Sequence, residues 1–256
     1  MITKSSDSKS ARLPLGGELF YAPTKRFKET IVFVHHYGGS KRTVKRHVRF
    51  VNELGYDAVA FNLLYHEASG PILRPPITSR GRIGAYRVWA EQLQAVVSQI
   101  PGRKIIYSFS MPSNGVVRVA ADNEDVVAWI CDGGPFLQLK DCVRNLYTKE
   151  YGIKNGLLLR VLNPVAIFLC GFGIEKFIAD ASATLAKRKF PILSLRSAND
   201  QLVPESAIEE YFSHAKSLNV EKYMLAGARH LEGYKVQTAL YRQLVEEFLK
   251  SVSSVF

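Results

Sequence analysis

Cysteine is scarce in this 256-residue chain, and the three present, Cys131, Cys142 and Cys170, are odd in number and lack the spacing of a metal-binding module. A disulfide-stapled scaffold and a cysteine-rich zinc domain are therefore set aside, and a reduced, cytoplasmic setting is the expectation. Long hydrophobic runs are missing too. The most apolar segment, residues 157–173, is broken by Arg160 and by Asn163-Pro164 and falls short of the ~20 apolar residues a membrane helix needs. No transmembrane segment is expected from it. Residues 1–10 are polar and lack the apolar centre of a signal peptide. There is neither an internal repeat nor a low-complexity block, which removes solenoids and biased linkers from consideration.

Acidic residues are outnumbered, 23 against 34 Lys and Arg, for a net charge of +11. Such a balance favours anionic partners, nucleic acid or a membrane surface. The densest basic run, residues 41–49, falls on an expected helix in which Val44, Val48 and Val51 face inward while Lys41, Arg42, Lys45, Arg46 and Arg49 face out. No zinc spacing or aromatic RNA-binding signature accompanies it. The run reads as a solvated helix face. No nucleic-acid partner is expected, and weak contact with an anionic membrane surface stays open.

What the chain does have is β-prone segments alternating with helical ones. Strands are expected at 17–22, 30–35, 57–61, 104–107, 125–131, 191–195 and 222–225, and helices at 41–54, 84–100, 116–121 and after Pro204 to about residue 218. The last helix sets Val236, Leu240, Leu244, Phe248 and Val252 at four-residue spacing on one face. A long loop holding Pro71, Pro75 and Pro76 spans residues 62–82, and between 136 and 189 the period is helical with no strand. Alternation of this kind implies an α/β fold with a mainly parallel sheet covered by helices on both sides.

The segment 104–115, Lys-Ile-Ile-Tyr-Ser-Phe-Ser-Met-Pro-Ser-Asn-Gly, joins a short apolar strand to a helix through two serines. A tight turn between strand and helix lifts one hydroxyl clear of the sheet edge, and the helix N-terminus behind it offers N–H groups to a developing oxyanion. Register selects Ser110, with Ser108 two residues before it and Pro112 two after. Functional groups of parallel sheets collect at the carboxyl ends of strands. At three other such ends lie His35-His-Tyr-Gly-Gly39, Asp200 just before Leu-Val-Pro, and His230 just before the last helix.

The order serine, aspartate, histidine on these loops resembles the α/β-hydrolase family, from about residue 17 to the C-terminal helix. The resemblance implies Ser110 as nucleophile, His230 as general base and Asp200 as the acid that orients it. By the same likeness the backbone N–H groups of Tyr37 and Met111 form the oxyanion hole. Residues 1–135 and 190–256 would make the core, with 136–189 inserted as a helical cap. Here Ser108 and Pro112 stand where the family's elbow usually carries glycine. Asp132 is a rival for the acid, because some lipases of the family take theirs from the preceding strand. His36 replaces the usual glycine beside the oxyanion turn, either contacting substrate or filling space. His47, His66 and His214 have no partners in the pattern and are expected to face solvent.

The apolar stretch within the cap either points to an apolar acyl group on the substrate or packs the cap onto the core. The expected function is a serine hydrolase cleaving a carboxylic ester or thioester through an acyl-enzyme, with no metal or organic cofactor. An acyltransferase using the same acyl-enzyme, and a non-catalytic relative binding a small molecule in the same pocket, are the alternatives.

Overall fold

In the computed structural model, which describes residues 13–64, 76–216 and 218–256, seven strands form one sheet. They are β1 (Glu18–Phe20), β2 (Thr30–Val34), β3 (Asp57–Ala60), β4 (Lys104–Phe109), β5 (Val126–Asp132), β6 (Pro191–Ser197) and β7 (Asn219–Leu225). Their order across the sheet is β1-β3-β2-β4-β5-β6-β7. Only β1 runs antiparallel, against β3. Each expected strand is therefore present, with ends shifted by a few residues, and the α/β class holds.

The central strands are buried on both faces, and the two-residue alternation divides their side chains between two cores. Ile31, Phe33, Ile105, Tyr107, Ile130 and Leu193 pack against α1 (Lys45–Leu54) and α9 (Thr238–Val252). Val32, Val34, Ile106, Trp129 and Ile192 face the other way, toward α2 (Ala85–Val97), α3 (Val116–Asp122), α6 (Ile174–Leu185) and α7 (Glu205–Ser213). Helix α1 begins at Lys45, later than expected. It buries Val48 and Val51 as anticipated and ends at Gly55, whose φ of 105° is a conformation glycine adopts without a Cβ penalty.

The stripe expected on the last helix is shifted. Val236 belongs to a separate short helix, α8 (Gly233–Val236), and is 47 % exposed, while Leu240 is 40 % exposed. The buried face of α9 is instead Tyr241, Leu244, Val245, Phe248 and Leu249. A strict four-residue spacing drifts about 40° per step around a helix of 3.6 residues per turn, so its two ends cannot share one face.

Helices α4 (Leu139–Asn145), α5 (Gly156–Gly171) and α6 lie between β5 and β6. Asn155 caps α5 by accepting from the N–H groups of Leu157 and Leu158 at 3.0 and 3.1 Å. The apolar run does not turn inward. Leu157, Val161, Val165, Phe168 and Phe172 follow one another at helical spacing and are 48–73 % exposed. Full burial of a side chain of this kind is worth about 1.5–3 kcal/mol, which this face forgoes in water. Counted together, α5 and α6 (Gly156–Leu185) are long and apolar enough to cross a membrane by length and composition only. The stretch bends at Gly173 (φ 71°), however, and its second half buries Ile178, Ala181 and Leu185 in the core.

His47 does not face solvent. It is 7 % exposed, with its ring edge-on to Tyr107 and Tyr234. The helical period that turns Val48 and Val51 inward brings His47 with them. Beside it the Tyr107 and Tyr241 hydroxyls lie 2.5 Å apart, and Tyr241 donates to Asp132 Oδ2 at 2.7 Å. His214 is exposed, as expected, and His66 lies outside the described residues.

These two buried groups respond to acid in opposite senses. Burial pushes the Asp132 carboxyl up to about 6, against the pull of the Tyr241 hydroxyl. Its contribution to stability is thus present below its ordinary 3.8 and is lost as pH rises through about 6. Burial, with Arg46 adding, pushes His47 from 6.5 down to about 3, so its contribution is present above 6.5 and is lost as pH falls. Between these limits one offsets the other. Asp132→Asn is expected to steepen the fall of the thermal midpoint on acidification from about pH 6.5 to 4, and His47→Gln to flatten it. The opposite ordering would show that neither group carries the shift argued for it.

Candidate active site

Strand β4 is buried along its whole length, so the chain leaving it must turn sharply at the sheet edge. Ser110 makes that turn with φ 56° and ψ −143°, a conformation costing on the order of 1–3 kcal/mol for a residue with a side chain. Its surroundings hold it there. The Ser110 N–H donates to the Asp132 carbonyl at 2.9 Å, and its own carbonyl accepts from Ser113 at 3.0 Å. Gly134 packs against the Ser110 backbone so closely that a Cβ would run into the Ser110 carbonyl. Asn114 adds a further tie missed in the sequence, bonding both the N–H and the C=O of Phe136 at 2.9 and 3.0 Å. Met111 opens a 3-10 turn, Met111–Gly115, that continues into α3. Pro112 fits within that first turn, where its missing N–H would be unpaired anyway.

The three expected side chains meet. Ser110 Oγ lies 2.9 Å from His230 Nε2, and His230 Nδ1 lies 2.6 Å from Asp200 Oδ2. With Nδ1–H donating to the carboxylate, Nε2 is the acceptor for the serine proton. Asp200 Oδ1 accepts from the N–H groups of Leu202 and Val203 at 2.9 and 2.8 Å, which explains why the acid stands just ahead of Leu-Val-Pro. Four anchor points thus fix a carboxylate and an imidazole that come from the ends of β6 and β7. Asp132, the rival acid, is the last residue of β5 and bonds Tyr241 rather than His230.

On the other side of Ser110 the turn after β2 is built by two histidines. His35 is buried, donates from Nδ1 to the His36 carbonyl at 2.7 Å and accepts at Nε2 from the Leu63 N–H at 3.0 Å. His36 donates from Nδ1 to the Tyr37 carbonyl at 2.8 Å, and its ring occupies the space a Cβ at Gly39 would need. Burial lowers the affinity of His36 for a proton, with the Tyr37 carbonyl opposing and His230 reinforcing.

Ser110, His230, His36, Tyr37 and Met111 all line one cavity of about 710 Å³. Its apolar wall is Phe136, Val143, Leu146, Leu202 and Val203, and its polar rim includes Lys149, Glu150, Gln201 and Arg229. Leu146, Lys149 and Glu150 belong to the π turn, Leu146–Glu150, that follows α4. The apolar run of α5 takes no part in the lining, so the reason the sequence offered for an apolar substrate moves to α4 and its turn. Among the described residues no group of three or more His, Cys, Asp and Glu side chains is placed to hold a metal ion.

Ser108 is excluded from the cavity. It is buried and its Oγ accepts from the Trp129 indole N–H at 2.7 Å. Ser108→Ala should strand that donor and cost about 1–3 kcal/mol of stability, read by denaturant unfolding. The reactivity of Ser110 toward a fluorophosphonate should survive the change. A loss of labelling with stability intact would reverse the assignment of the two serines.

By sequence the chain matches no protein-family model and no curated protein. Solved structures do match. An esterase of Pyrococcus furiosus superposes with a TM-score of 0.69 at 18% identity, covering 94% of this chain and 86% of its own. A monoacylglycerol lipase of Paleococcus ferrophilus does so at 0.57 and 14%, covering 93% and 98%, and a bromoperoxidase of Bacillus anthracis at 0.59 and 16%, covering 91% and 94%. The strand order, the loop positions of Ser110, Asp200 and His230, and these superpositions identify the architecture as the α/β-hydrolase fold.

Proposed function

We propose that the chain is a serine hydrolase cleaving a carboxylic ester or thioester with an apolar acyl part. The observation that carries the reading is the continuous hydrogen-bond line from Ser110 Oγ through His230 to Asp200. His230 takes the serine proton as Oγ attacks the acyl carbonyl, and the Asp200 carboxylate steadies the imidazolium that forms. The carbonyl oxygen, now negative, would be held by the Tyr37 and Met111 N–H groups at the cavity wall. Collapse expels the alcohol or thiol, which receives the proton from His230, and water then releases the acid by the reverse sequence. No metal or organic cofactor is needed for this route.

The acyl part fits the side of the cavity formed by Phe136, Val143, Leu146 and Val203, and the volume of about 710 Å³ suits a medium-sized ligand. The leaving group would lie toward the rim. Three free, buried cysteines support a reducing, cytoplasmic setting for the enzyme. The inserted residues 136–189 act in this reading as a cap, since their first part closes the cavity.

Ser110→Ala is expected to abolish hydrolysis of p-nitrophenyl esters while leaving the far-UV spectrum unchanged. Asp200→Asn should lower kcat about 10⁴-fold by losing the tautomer that His230 needs, and Asp132→Asn should cost far less. Full activity in Ser110→Ala would refute the reading, and a larger loss at Asp132 than at Asp200 would relocate the acid. Catalytic efficiency should rise from acetyl toward medium-chain esters, by up to about 0.8 kcal/mol for each methylene buried in the transition state. Preference for acetyl esters would show that the apolar wall does not hold the acyl chain.

A further inference from the structure

Among the described residues, the exposed apolar face of α5 has no counterpart. Leu157, Val161, Val165, Phe168 and Phe172 form a single stripe, and the Phe168 and Phe172 rings lie 5.3 Å apart on it. Arg160 is exposed beside the stripe and Lys154 just ahead of the helix. From 136 to 189 the segment carries nine Lys and Arg against four Asp and Glu, within a chain whose net charge is already +11. An apolar helix face rimmed by cations is the pattern that seats in the interface of a bilayer bearing anionic lipid.

We infer that α5 docks this protein onto an anionic membrane surface, lying in the plane of the interface rather than crossing it. Two observations choose that occupant and that mode. A second copy apposed on the same stripe would bring two strongly positive chains together, whereas an anionic surface is complementary to the charge. Crossing is disfavoured because α6, the other half of the apolar stretch, buries Ile178, Ala181 and Leu185 against the core. Withdrawing α6 into lipid would open that core. The turn that leads into α5 also supplies Leu146 and Lys149 to the cavity, so docking brings the cavity rim toward the lipid. The inference concerns a surface and does not require that Ser110 be reactive.

Co-sedimentation with phosphatidylcholine vesicles, with and without phosphatidylglycerol, tests it directly. The wild-type chain should sediment with the mixed vesicles and much less with phosphatidylcholine alone. Raising salt from about 0.1 M to about 1 M shortens the screening length from about 10 Å to about 3 Å and should release a large part of the bound protein. Val165→Asp with Phe168→Asp should reduce partition about tenfold or more, with an unchanged melting temperature and circular dichroism. Lys154→Glu with Arg160→Glu, outside the apolar stripe, should weaken binding to the mixed vesicles alone, which covers the case of a misfolded apolar variant. Absence of vesicle binding by the wild type, or binding that neither variant changes, would overturn the inference. So would a concentration-dependent dimer that Val165→Asp with Phe168→Asp dissolves, because a second copy would then be what covers the face.

Discussion

A parallel sheet brings the carboxyl ends of its strands to one edge, and the rest of this molecule depends on that constraint. Ser110, Asp200 and His230 are separated by 90 and 30 residues along the chain, yet they join in one hydrogen-bond line, with His230 in the middle, because β4, β6 and β7 all end at the same edge of the sheet, β5 standing between the first two. The edge also decides the backbone. Leaving a fully buried strand, the chain must reverse at once, and Ser110 accepts a left-handed conformation to do so. The neighbouring β5 end stabilises that conformation twice, through the Asp132 carbonyl and through the close approach of Gly134. Strain at the serine and order in the strand beside it are therefore two aspects of one arrangement.

Much of this was legible in the residues. The strands announced themselves as short β-branched runs, and the serine, acid and histidine stood at strand ends in an interpretable order. Departures from the usual elbow did not break it, for reasons only the packing reveals. Ser108 replaces a small residue because its hydroxyl serves the buried Trp129 indole, and Pro112 falls where no N–H is required. Less legible were the features that rest on three-dimensional neighbours. His47 looked like one more polar residue on a basic helix, but it shares the face of Val48 and Val51 and sits among tyrosines. Likewise His35 gave no sign in the sequence that it would hold the β2 turn to the Leu63 backbone.

The helices between β5 and β6 divide their labour in a way that hydropathy could not resolve. A single apolar run within the expected cap pointed to an apolar acyl group on the substrate. In the fold the cavity wall comes from α4 and the π turn, α6 completes the core, and the apolar face of α5 points outward. Periodicity reports that a helix has an apolar side, but the direction of that side depends on what the helix finds to pack against. Here α5 finds α4 and α2 on one flank and water on the other, and its Pro164 and Arg160 sit on the wet side.

The central claim is that Ser110 Oγ, activated by His230, forms a covalent bond to an acyl group. Mass spectrometry of the intact chain after a brief reaction with a p-nitrophenyl acyl ester, quenched in acid and followed by peptide mapping, tests it most directly. The account requires a mass increase equal to one acyl group, located on the peptide containing Ser110 and absent when His230 is replaced by Ala. An acyl group found on another residue, or hydrolysis that proceeds with no adduct at Ser110 under conditions that trap one, would contradict it.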